Sequence, residues 1–309
     1  MILLAMFVIM AIASQNFLTL TNITNIFRQN AMIGIVAVTG TMLMITGGLD
    51  ISIGSTVAVT GVIFALVAQT GQSLWVAGFW AVCFGGLVGS INAGLIVGLR
   101  MNHVIATLAT QYAFRGMAFL LSDGKTVIDG LPITFTEIGR GYLGVIPIPV
   151  VIMVIIYVIF YVVLNKTLFG KYVYAVGGNV ETARLSGIAV NKIKVFLYIL
   201  MGLFTGLSGV LLASRLGSGN PQSGVGFEFD IIVAVLLGGV SMEGGEGSLI
   251  GTFIAVLIVG VMSNGLNLLG VSSFYQYIAK GAILVIAIMI DMSMKGEGLF
   301  KKIQKRVAD

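Results

Sequence analysis

Residues able to do acid, base, metal or nucleophile chemistry are scarce in this chain of 309 residues. It has 12 acidic residues, 17 lysines and arginines, one histidine and one cysteine. Cys83 alone cannot form an intramolecular disulfide, and with His103 it is too little for a metal cluster. No general base stands near a nucleophile by spacing. We therefore expect no catalytic residue, no metal and no cofactor.

ATP hydrolysis by this chain is not expected either. A phosphate-binding P-loop has a glycine, four residues of any type and then Gly-Lys-Ser or Gly-Lys-Thr. The one Gly-Lys-Thr lies at 124–126, and Phe119 takes the position of the required earlier glycine. The chain is therefore not expected to be an enzyme, and an ATP-driven process would need its motor in another subunit.

Three ionisable residues inside or near apolar runs need an explanation, because a charge at the centre of a membrane helix costs about 2.5–3.5 kcal/mol. They are Asp50, Arg115 and Lys280. Asp50 can cap a helix by accepting from the N–H of Ser52 or Ile53, and such a cap is compatible with a place beside a transport pathway. For Lys280 we expect the ammonium group to reach the lipid headgroups along its own alkyl chain.

The elements that must position these residues are membrane helices. Hydrophobic residues make up 58% of the chain and charged residues 9%, against about 25% charged in soluble domains. The uncharged run 51–99 is long enough for two crossings of about 20 residues each, and it lacks the alternation of a β-barrel. The fold class is therefore an all-α membrane protein with about ten transmembrane helices, some short or broken. The expected spans are 1–14, 30–47, 51–69, 74–99, 103–121, 145–164, 195–213, 228–241, 248–269 and 274–291.

Orientation follows from the basic residues of the short loops, which favour the cytoplasmic side. With the N-terminus inside, both termini are cytoplasmic, and the net charge of +5 is a topology signal that gives no indication of nucleic-acid binding. Residues 1–14 lack the basic start of a signal peptide, so we interpret them as a shortened first span, with a cleaved signal as the alternative. The basic residues placed inside are Arg100, Lys166, Lys171, Arg184, Lys192, Lys194, Lys295, Lys301, Lys302, Lys305 and Arg306.

Glycine is the next distinctive feature, with 42 in the chain. Small residues at helical spacing let two membrane helices approach closely, which favours packing, with pore lining as the alternative for a few of them. The pairs at this spacing include Gly85/Gly89, Gly94/Gly98 and Gly202/Gly206.

Two segments interrupt the regular pattern. Residues 46–55 place paired glycines, a carboxylate and two hydroxyls between apolar runs. In the eighth span the uncharged run is only 231–242, which as a helix rises about 18 Å against a hydrocarbon core of about 30 Å. Either Glu228 and Asp230 enter the membrane, or this helix is short and broken. Such segments indicate a transport pathway, because their freed backbone groups must line a cavity or meet protein partners.

The longest predicted cytoplasmic loop covers residues 165–194. Within it Asn179 can cap a short helix with Glu181 in its first turn, and Gly187 can end that helix soon after Leu185. A cytoplasmic helix of this kind suits docking into a groove on a partner. It could equally be an ordinary amphipathic connector along the membrane surface, and the spacing alone leaves both interpretations open.

A set of motifs in a fixed order gives the chain a specific resemblance to one family. The motifs are Asn-Ile-Phe-Arg-Gln-Asn at 25–30, Gly-Leu-Asp-Ile-Ser-Ile-Gly-Ser at 48–55, the loop stretch 177–192, Gly-Phe-Glu-Phe-Asp at 226–230, Leu-Gly-Gly-Val-Ser at 237–241, and Asn-Gly-Leu-Asn at 264–267 leading to Val-Ser-Ser at 271–273. Over nearly its whole length the chain resembles the permeases of ribose, xylose and galactose-type ABC importers, and among them the ribose permeases. It departs from that pattern at its N-terminus, which lacks the expected cytoplasmic lead-in to the first span.

This resemblance implies the permease subunit of a binding-protein-dependent ABC importer in the bacterial cytoplasmic (inner) membrane, carrying ribose or a related pentose or hexose. Two copies would form the pore in the lipid bilayer, with a cytoplasmic ABC ATPase docked inside and a sugar-loaded extracytoplasmic binding protein outside. The transmembrane permease domain would cover 1–291, including the coupling loop 165–194, and a basic cytoplasmic tail would cover 292–309. The residues implied in coupling to the ATPase are Asn179, Glu181, Arg184, Leu185 and Gly187.

A neutral polyol would be carried along hydroxyls and amides rather than past strong charges. The expected pathway residues are Asp50, Ser52, Asn92, Asn264 and Asn267. The alternatives are an ion-coupled secondary transporter, a structural subunit without a pathway, and an ABC permease for branched-chain amino acids or an autoinducer. In the secondary transporter, Asp50, Arg115 or Lys280 would carry the coupled proton or sodium ion.

Overall fold

A computed structural model describes residues 2–294 of the chain. Nearly all of the predicted basic tail at 292–309 therefore lies outside the described residues, including its five lysines and arginines from Lys295 to Arg306. The described part contains thirteen α-helices and one two-stranded antiparallel ribbon. The helices are α1 (Ile2–Ala13), α2 (Leu20–Ile45), α3 (Ile53–Gln69), α4 (Leu74–Ala93), α5 (His103–Leu121), α6 (Glu137–Arg140), α7 (Ile148–Lys166), α8 (Leu168–Gly178), α9 (Val180–Leu185), α10 (Val190–Leu216), α11 (Phe227–Leu237), α12 (Leu249–Leu268) and α13 (Ser273–Met294).

The short elements join the long helices. A π-helical turn (Gly94–Gly98) extends α4, and a 3-10 turn (Ile133–Thr136) precedes α6. The strands β1 (Tyr142–Leu143) and β2 (Ile146–Pro147) then form the ribbon that leads into α7.

Six of the described helices are long and apolar enough to cross a membrane: α2, α4 with its π-helical end, α5, α7, α10 and α12. Two more apolar helices, α1 and α3, are shorter. The structure is thus that of an all-α membrane protein, as the composition predicts. Each of the ten predicted segments overlaps one of the described helices.

Helix α2 begins at Leu20, well before the predicted span at 30. The hydroxyl of Thr19 caps it by accepting from the N–H of Asn22 at 3.3 Å. Arg28 lies within the helix, where its guanidinium donates to the carbonyl of Arg140 at 3.2 Å and stands over the ring of Tyr142. The predicted start was wrong because Arg28 interrupts the apolar run without ending the helix; its guanidinium contacts Arg140 and Tyr142, although its Nε has no hydrogen-bond partner among the described residues.

The centre of the bundle is formed by α2 and α10, and α10 packs along α4 through glycines. A Cβ on Gly89 would clash with the carbonyl oxygen of Tyr198, and one on Gly202 with the carbonyl oxygen of Gly85. The close packing predicted for these glycines is confirmed. Gly94 and Gly98 make no such packing contact within the described chain, since a Cβ at either position would meet no atom within 4 Å.

The two interruptions predicted from the sequence lie side by side. Helix α11 is short, as one of the two predicted alternatives has it, follows Gly226 with φ of +83°, and carries two acidic residues in its first turn. Helix α3 begins at Ile53 after the non-helical residues 48–51. The chain before α11 touches the first turn of α3 at Gly54, where a Cβ would clash with the carbonyl oxygen of Gly224 and the carboxylate of Glu228. The start of α3 and the start of α11 therefore meet inside the bundle.

Candidate functional site

A buried network of polar side chains joins the segment before α3 to α4 and α5. One carboxylate oxygen of Asp50 accepts from the N–H of Ser52 at 2.7 Å and from its hydroxyl at 2.6 Å. The amide of Asn92 donates to the other oxygen of Asp50 at 3.2 Å and to the hydroxyl of Ser52 at 2.9 Å. Thr110 donates to the amide oxygen of Asn92 at 2.7 Å. Asp50 thus accepts from the N–H of Ser52 as predicted, but the N-cap of α3 is Ser52 rather than Asp50, and that cap makes no side-chain hydrogen bond. Three predicted pathway residues converge in one buried cluster.

Gln111 of α5 extends this polar layer to α11. Its amide oxygen accepts from the N–H of Ser55 and its amide nitrogen donates to Oε1 of Glu228, both at 3.3 Å. Glu228 is buried, and its Oε2 has no hydrogen-bond partner among the residues that the structure describes. Neither Gln111 nor Thr110 was predicted, because a neutral polar residue in an apolar helix stands out only once its partners are known.

Arg115 of α5 holds the non-helical chain that precedes α11. Its guanidinium donates to the carbonyl of Pro221 at 2.8 Å and to the carbonyl of Ser223 at 2.7 Å. Backbone that is not helical at membrane depth needs such partners, because lipid offers none. Arg115 therefore positions the start of α11 next to the polar layer.

The other two predicted pathway residues lie in a second polar cluster, between α2, α12 and α13. Asn264 exchanges two amide hydrogen bonds with Asn22, at 3.1 and 2.8 Å, and Asn267 accepts from Gln276 at 2.7 Å. Both line a cavity of about 90 Å³. At roughly 30 Å³ per molecule such a cavity holds a few waters. The hydrogen bonds of Asn264 and Asn267 thus tie them to α2 and α13 and not to the network around Asp50.

Lys280 of α13 borders the same cavity and forms an ion pair with Asp230 of α11. Its ammonium nitrogen stands 2.6 Å from Oδ1 and 2.9 Å from Oδ2 of Asp230. The expectation that Lys280 reaches the lipid headgroups was wrong. The aspartate offers a nearer partner inside the protein, and burial of both side chains strengthens their attraction.

The predicted cytoplasmic helix exists as α9. The side chain of Asn179 accepts from the N–H of Thr182 at 2.8 Å, and Gly187 ends the helix with φ of +80°. Glu181 and Arg184 form an exposed ion pair at 3.1 Å. The side chain of Leu185 is 81% exposed. The helix and both of its ends are therefore as predicted, and it presents an apolar side chain beside two opposite charges.

Helix α8 ties α9 to the ends of other helices. The phenol of Tyr174 donates to the carbonyl of Gly247 at 2.8 Å, and burial raises its pKa, which keeps it protonated as a donor. The N–H of Gly245 donates to the carbonyl of Ile45 at 2.8 Å. A Cβ on Gly177 would clash with that same carbonyl. Through these contacts, α8 connects α9 to the end of α2 and to the turn before α12.

These arrangements offer buried hydrogen-bond donors and acceptors inside the bundle. Among residues 2–294 no three His, Cys, Asp or Glu side chains come together as a metal site would require. The described polar side chains around Asp50 form a buried layer inside the bundle, and α9 lies exposed outside it.

A family model described as branched-chain amino acid transport system / permease component matches residues 22–288. The ribose import permease protein RbsC of Bacillus subtilis (strain 168) is 42% identical over 285 residues, covering 92% of this chain and 88% of the relative. RbsC of Escherichia coli (strain K12) is 39% identical over 296 residues, covering 94% of this chain and 91% of the relative. The L-arabinose ABC transporter permease protein AraH of Azospirillum brasilense is 38% identical over 303 residues, covering 98% and 89%.

No solved structure gives a significant match to the chain. The family model covers well over half of the sequence, and the relatives cover nearly all of it. The resemblance to sugar-importer permeases that the motifs indicate is thereby confirmed. The chain belongs to the family of branched-chain amino acid transport system permease components.

Proposed function

We propose that the chain is the transmembrane permease subunit of an ABC importer for a monosaccharide, in the bacterial inner membrane. Relatives named for ribose and arabinose transport match it over more than nine tenths of its length. Ribose or a related pentose is therefore the first substrate class to test. A cytoplasmic ATPase subunit supplies the energy, and an extracytoplasmic binding protein delivers the sugar.

The proposal rests on α9, an exposed helix that is connected through α8 to the ends of buried helices. The residues of α9 proposed for coupling are Asn179, Glu181, Arg184, Leu185 and Gly187. Asn179 and Gly187 fix the ends of the helix, while the other three side chains are exposed and free to enter a groove on the ATPase. Through α8, a displacement of α9 shifts the end of α2, which leads directly into the segment that carries Asp50. ATP binding and hydrolysis then favour one of two packings of the bundle.

The pathway uses the polar layer at the start of α3. Asp50, Ser52 and Asn92 form its inner part, and Asn264 and Asn267 offer amides near the other end of α2. Neutral hydroxyls and amides suit a sugar that must pass without being held tightly, because affinity resides in the binding protein. Each of these side chains already has a hydrogen-bond partner, so a sugar exchanges partners rather than meeting unpaired charges.

The complete subunit has ten spans with both termini cytoplasmic, and two copies enclose the pathway. Each of the ten predicted segments overlaps a helix, and the basic loops favour the cytoplasmic side for α9. The permease domain covers 1–291, with the coupling loop at 165–194 and the basic tail at 292–309.

Reconstitution tests this function. The chain is placed in liposomes with a candidate ATPase and binding protein, and uptake of pentoses, hexoses, leucine and valine is measured with ATP or with an ion gradient. We expect uptake of a pentose that requires all three components and ATP. Uptake driven by a proton or sodium gradient without ATP would instead identify a secondary transporter. Transport of the amino acids alone would exclude a sugar permease, and no transport of any solute would identify a structural subunit.

A further inference from the structure

Three arginines meet at one end of the two central helices. Arg28 lies in the first half of α2, Arg140 ends α6, and Arg215 lies one residue before the end of α10. The guanidinium of Arg28 donates to the carbonyl of Arg140 at 3.2 Å, and that of Arg140 donates to the carbonyl of Arg215 at 2.6 Å. Arg215 is close enough to the other two guanidinium groups to be repelled by both. These three residues form the arginine cluster.

The charge of the arginine cluster is not neutralised within the described chain. Its hydrogen bonds go to the two main-chain carbonyls and to the amide oxygen of Gln29, none of which carries a charge. Within residues 2–294 no acidic side chain forms an ion pair with any of the three arginines, and the buried Nε of Arg28 has no hydrogen-bond partner there. Guanidinium groups stay protonated and pair well with carboxylates. The cluster therefore attracts an anionic partner from outside the chain.

An exposed apolar ribbon adjoins the arginine cluster. The ring of Tyr142 in β1 lies under the guanidinium of Arg28, with 4.7 Å between the guanidinium carbon and the ring centre. Next to it the side chains of Leu143 and Val145 are 67% and 85% exposed. Protein–protein interfaces are enriched in tyrosine and arginine around an apolar centre. The ribbon and the cluster together therefore have the composition of a protein docking surface.

The position of the cluster favours a protein partner over lipid. It lies on α2 and α10, the helices at the centre of the bundle, and most residues of both are buried. The proposed topology places this end on the extracytoplasmic face. Gln29, to which Arg215 donates at 3.5 Å, also lines the cavity that contains Asn264 and Asn267. The cluster thus lies at the outer end of the proposed sugar pathway, where a delivering protein must release its sugar.

We propose that the arginine cluster and the β1–β2 ribbon form the docking surface for the sugar-binding protein, whose exposed carboxylates pair with the guanidinium groups. This inference rests on the proposed function and adds residues that belong to neither the coupling helix nor the pathway. Arg140 has the exposed side chain of the three arginines, so it contributes most to the pairing. Opposite charges on the two surfaces also speed their association.

The affinity of the binding protein tests the charge pairing. Liposomes that contain the permease and its ATPase are titrated with a fluorescent, ribose-loaded candidate binding protein at low and high salt. Arg140→Glu should weaken binding by about tenfold or more, and Arg140→Gln should weaken it less. Salt should weaken binding to the native chain more than binding to Arg140→Glu, because salt screens exposed charges.

The matched control for affinity is Lys125→Glu, which reverses an exposed cation that the proposed topology places on the same face but outside the cluster. It should leave the affinity within about twofold of the native value, because an exposed charge without a close partner contributes little. Equal affinity of the native chain and Arg140→Glu at low salt would overturn the proposal.

Site-specific labelling tests the ribbon without any change of charge. Cys83 is the single cysteine, so Cys83→Ser with Val145→Cys has one thiol. In the same liposomes an external water-soluble maleimide should react readily with this thiol, and saturating ribose-loaded binding protein should slow the reaction about fivefold. No reaction without binding protein would show that lipid or a second copy covers the ribbon, and would overturn the proposal. An unchanged rate with binding protein would overturn it as well.

ATP-driven uptake of ribose by the native complex distinguishes the two proposals. Uptake in liposomes where the binding protein does not protect Val145→Cys removes only the docking surface. No uptake by the native complex removes the proposed function.

Discussion

Two ion pairs in this molecule have similar chemistry and opposite surroundings. Glu181 and Arg184 stand 3.1 Å apart on α9 with 68% and 59% of their side chains exposed. Asp230 and Lys280 stand 2.6 Å apart between α11 and α13 with 13% and 22% exposed. Water screens the first pair, so its charges remain available to a partner protein at little cost to the fold. The second pair has given up its hydration and is stable only as a pair. The exposed fraction of the side chains, more than the distance between the charges, distinguishes the proposed coupling surface on α9 from the structural contact between α11 and α13.

Removal of one member of the buried pair has the largest expected effect. Lys280→Ala leaves Asp230 charged and without its cation, which costs about 3–5 kcal/mol for a buried pair. Thermal unfolding of the detergent-solubilised protein measures the loss. The control is Asp230→Leu with Lys280→Met, which removes both charges and keeps the volume, and it should recover most of the stability. A double variant as unstable as Lys280→Ala would show that packing, and not charge, is responsible.

The buried network around Asp50 comes next. Asp50→Ala removes the acceptor of the Ser52 N–H and leaves that buried group unpaired, which costs about 1–3 kcal/mol. Asp50→Asn keeps an acceptor oxygen in place and should lose less than half as much. Unfolding of the two variants under identical conditions gives the comparison. Equal losses for both would mean that the charge itself, rather than the hydrogen bond to the Ser52 N–H, stabilises this segment.

A similar effect on stability, with a clear effect on function, is expected at the contact between α8 and α2. In Gly177→Ala the new methyl group clashes with the carbonyl of Ile45, and overpacking of this kind costs about 1–3 kcal/mol. Sugar uptake should fall because α9 loses its fixed path to α2. Gly178→Ala is the matched control, since a Cβ there meets nothing within 4 Å. If the two variants transport equally well, coupling does not pass through this contact.

The exposed pair should give the smallest change in stability. Glu181→Gln and Arg184→Gln together should alter unfolding by less than about 1 kcal/mol, because exposed pairs contribute about 0–1 kcal/mol. The change should shrink further at high salt. A loss as large as that of Lys280→Ala would contradict the contrast between the two pairs.

Local features were well predicted from the sequence. The span 103–121 coincides with α5, which carries Arg115 but is long and apolar enough to cross a membrane. Helix α9 was predicted with its cap and its end, since both depend on residues within one or two turns. The start of α2 was not predicted, because the satisfaction of Arg28 depends on Arg140 and Tyr142, far along the chain.

Long-range pairing explains what the sequence could not predict about the candidate site. Asp50, Ser52 and Asn92 were singled out one by one from their residue types, but their contact depends on how α4 packs on α3. Nothing in the sequence near Lys280 indicated that Asp230, 50 residues away, is its partner. The Lys280 side chain was therefore wrongly expected to reach the lipid headgroups. The hydrogen bond between Gln111 and Glu228 joins residues 117 positions apart, so their place in one polar network could not be predicted from the sequence.

The central claim is that the sugar pathway of this chain is driven by a separate ATPase through α9. Its most direct test is the number of sugar molecules imported per ATP hydrolysed by the reconstituted complex, compared between native chain and the Glu181→Ala, Arg184→Ala double variant. Lys125→Ala, which removes an exposed cation in a different loop, is the control. We expect the double variant to insert and to permit ATP hydrolysis while its uptake falls by about tenfold or more, which corresponds to roughly 1.4 kcal/mol or more of lost coupling. Normal uptake per ATP by the double variant would contradict the claim.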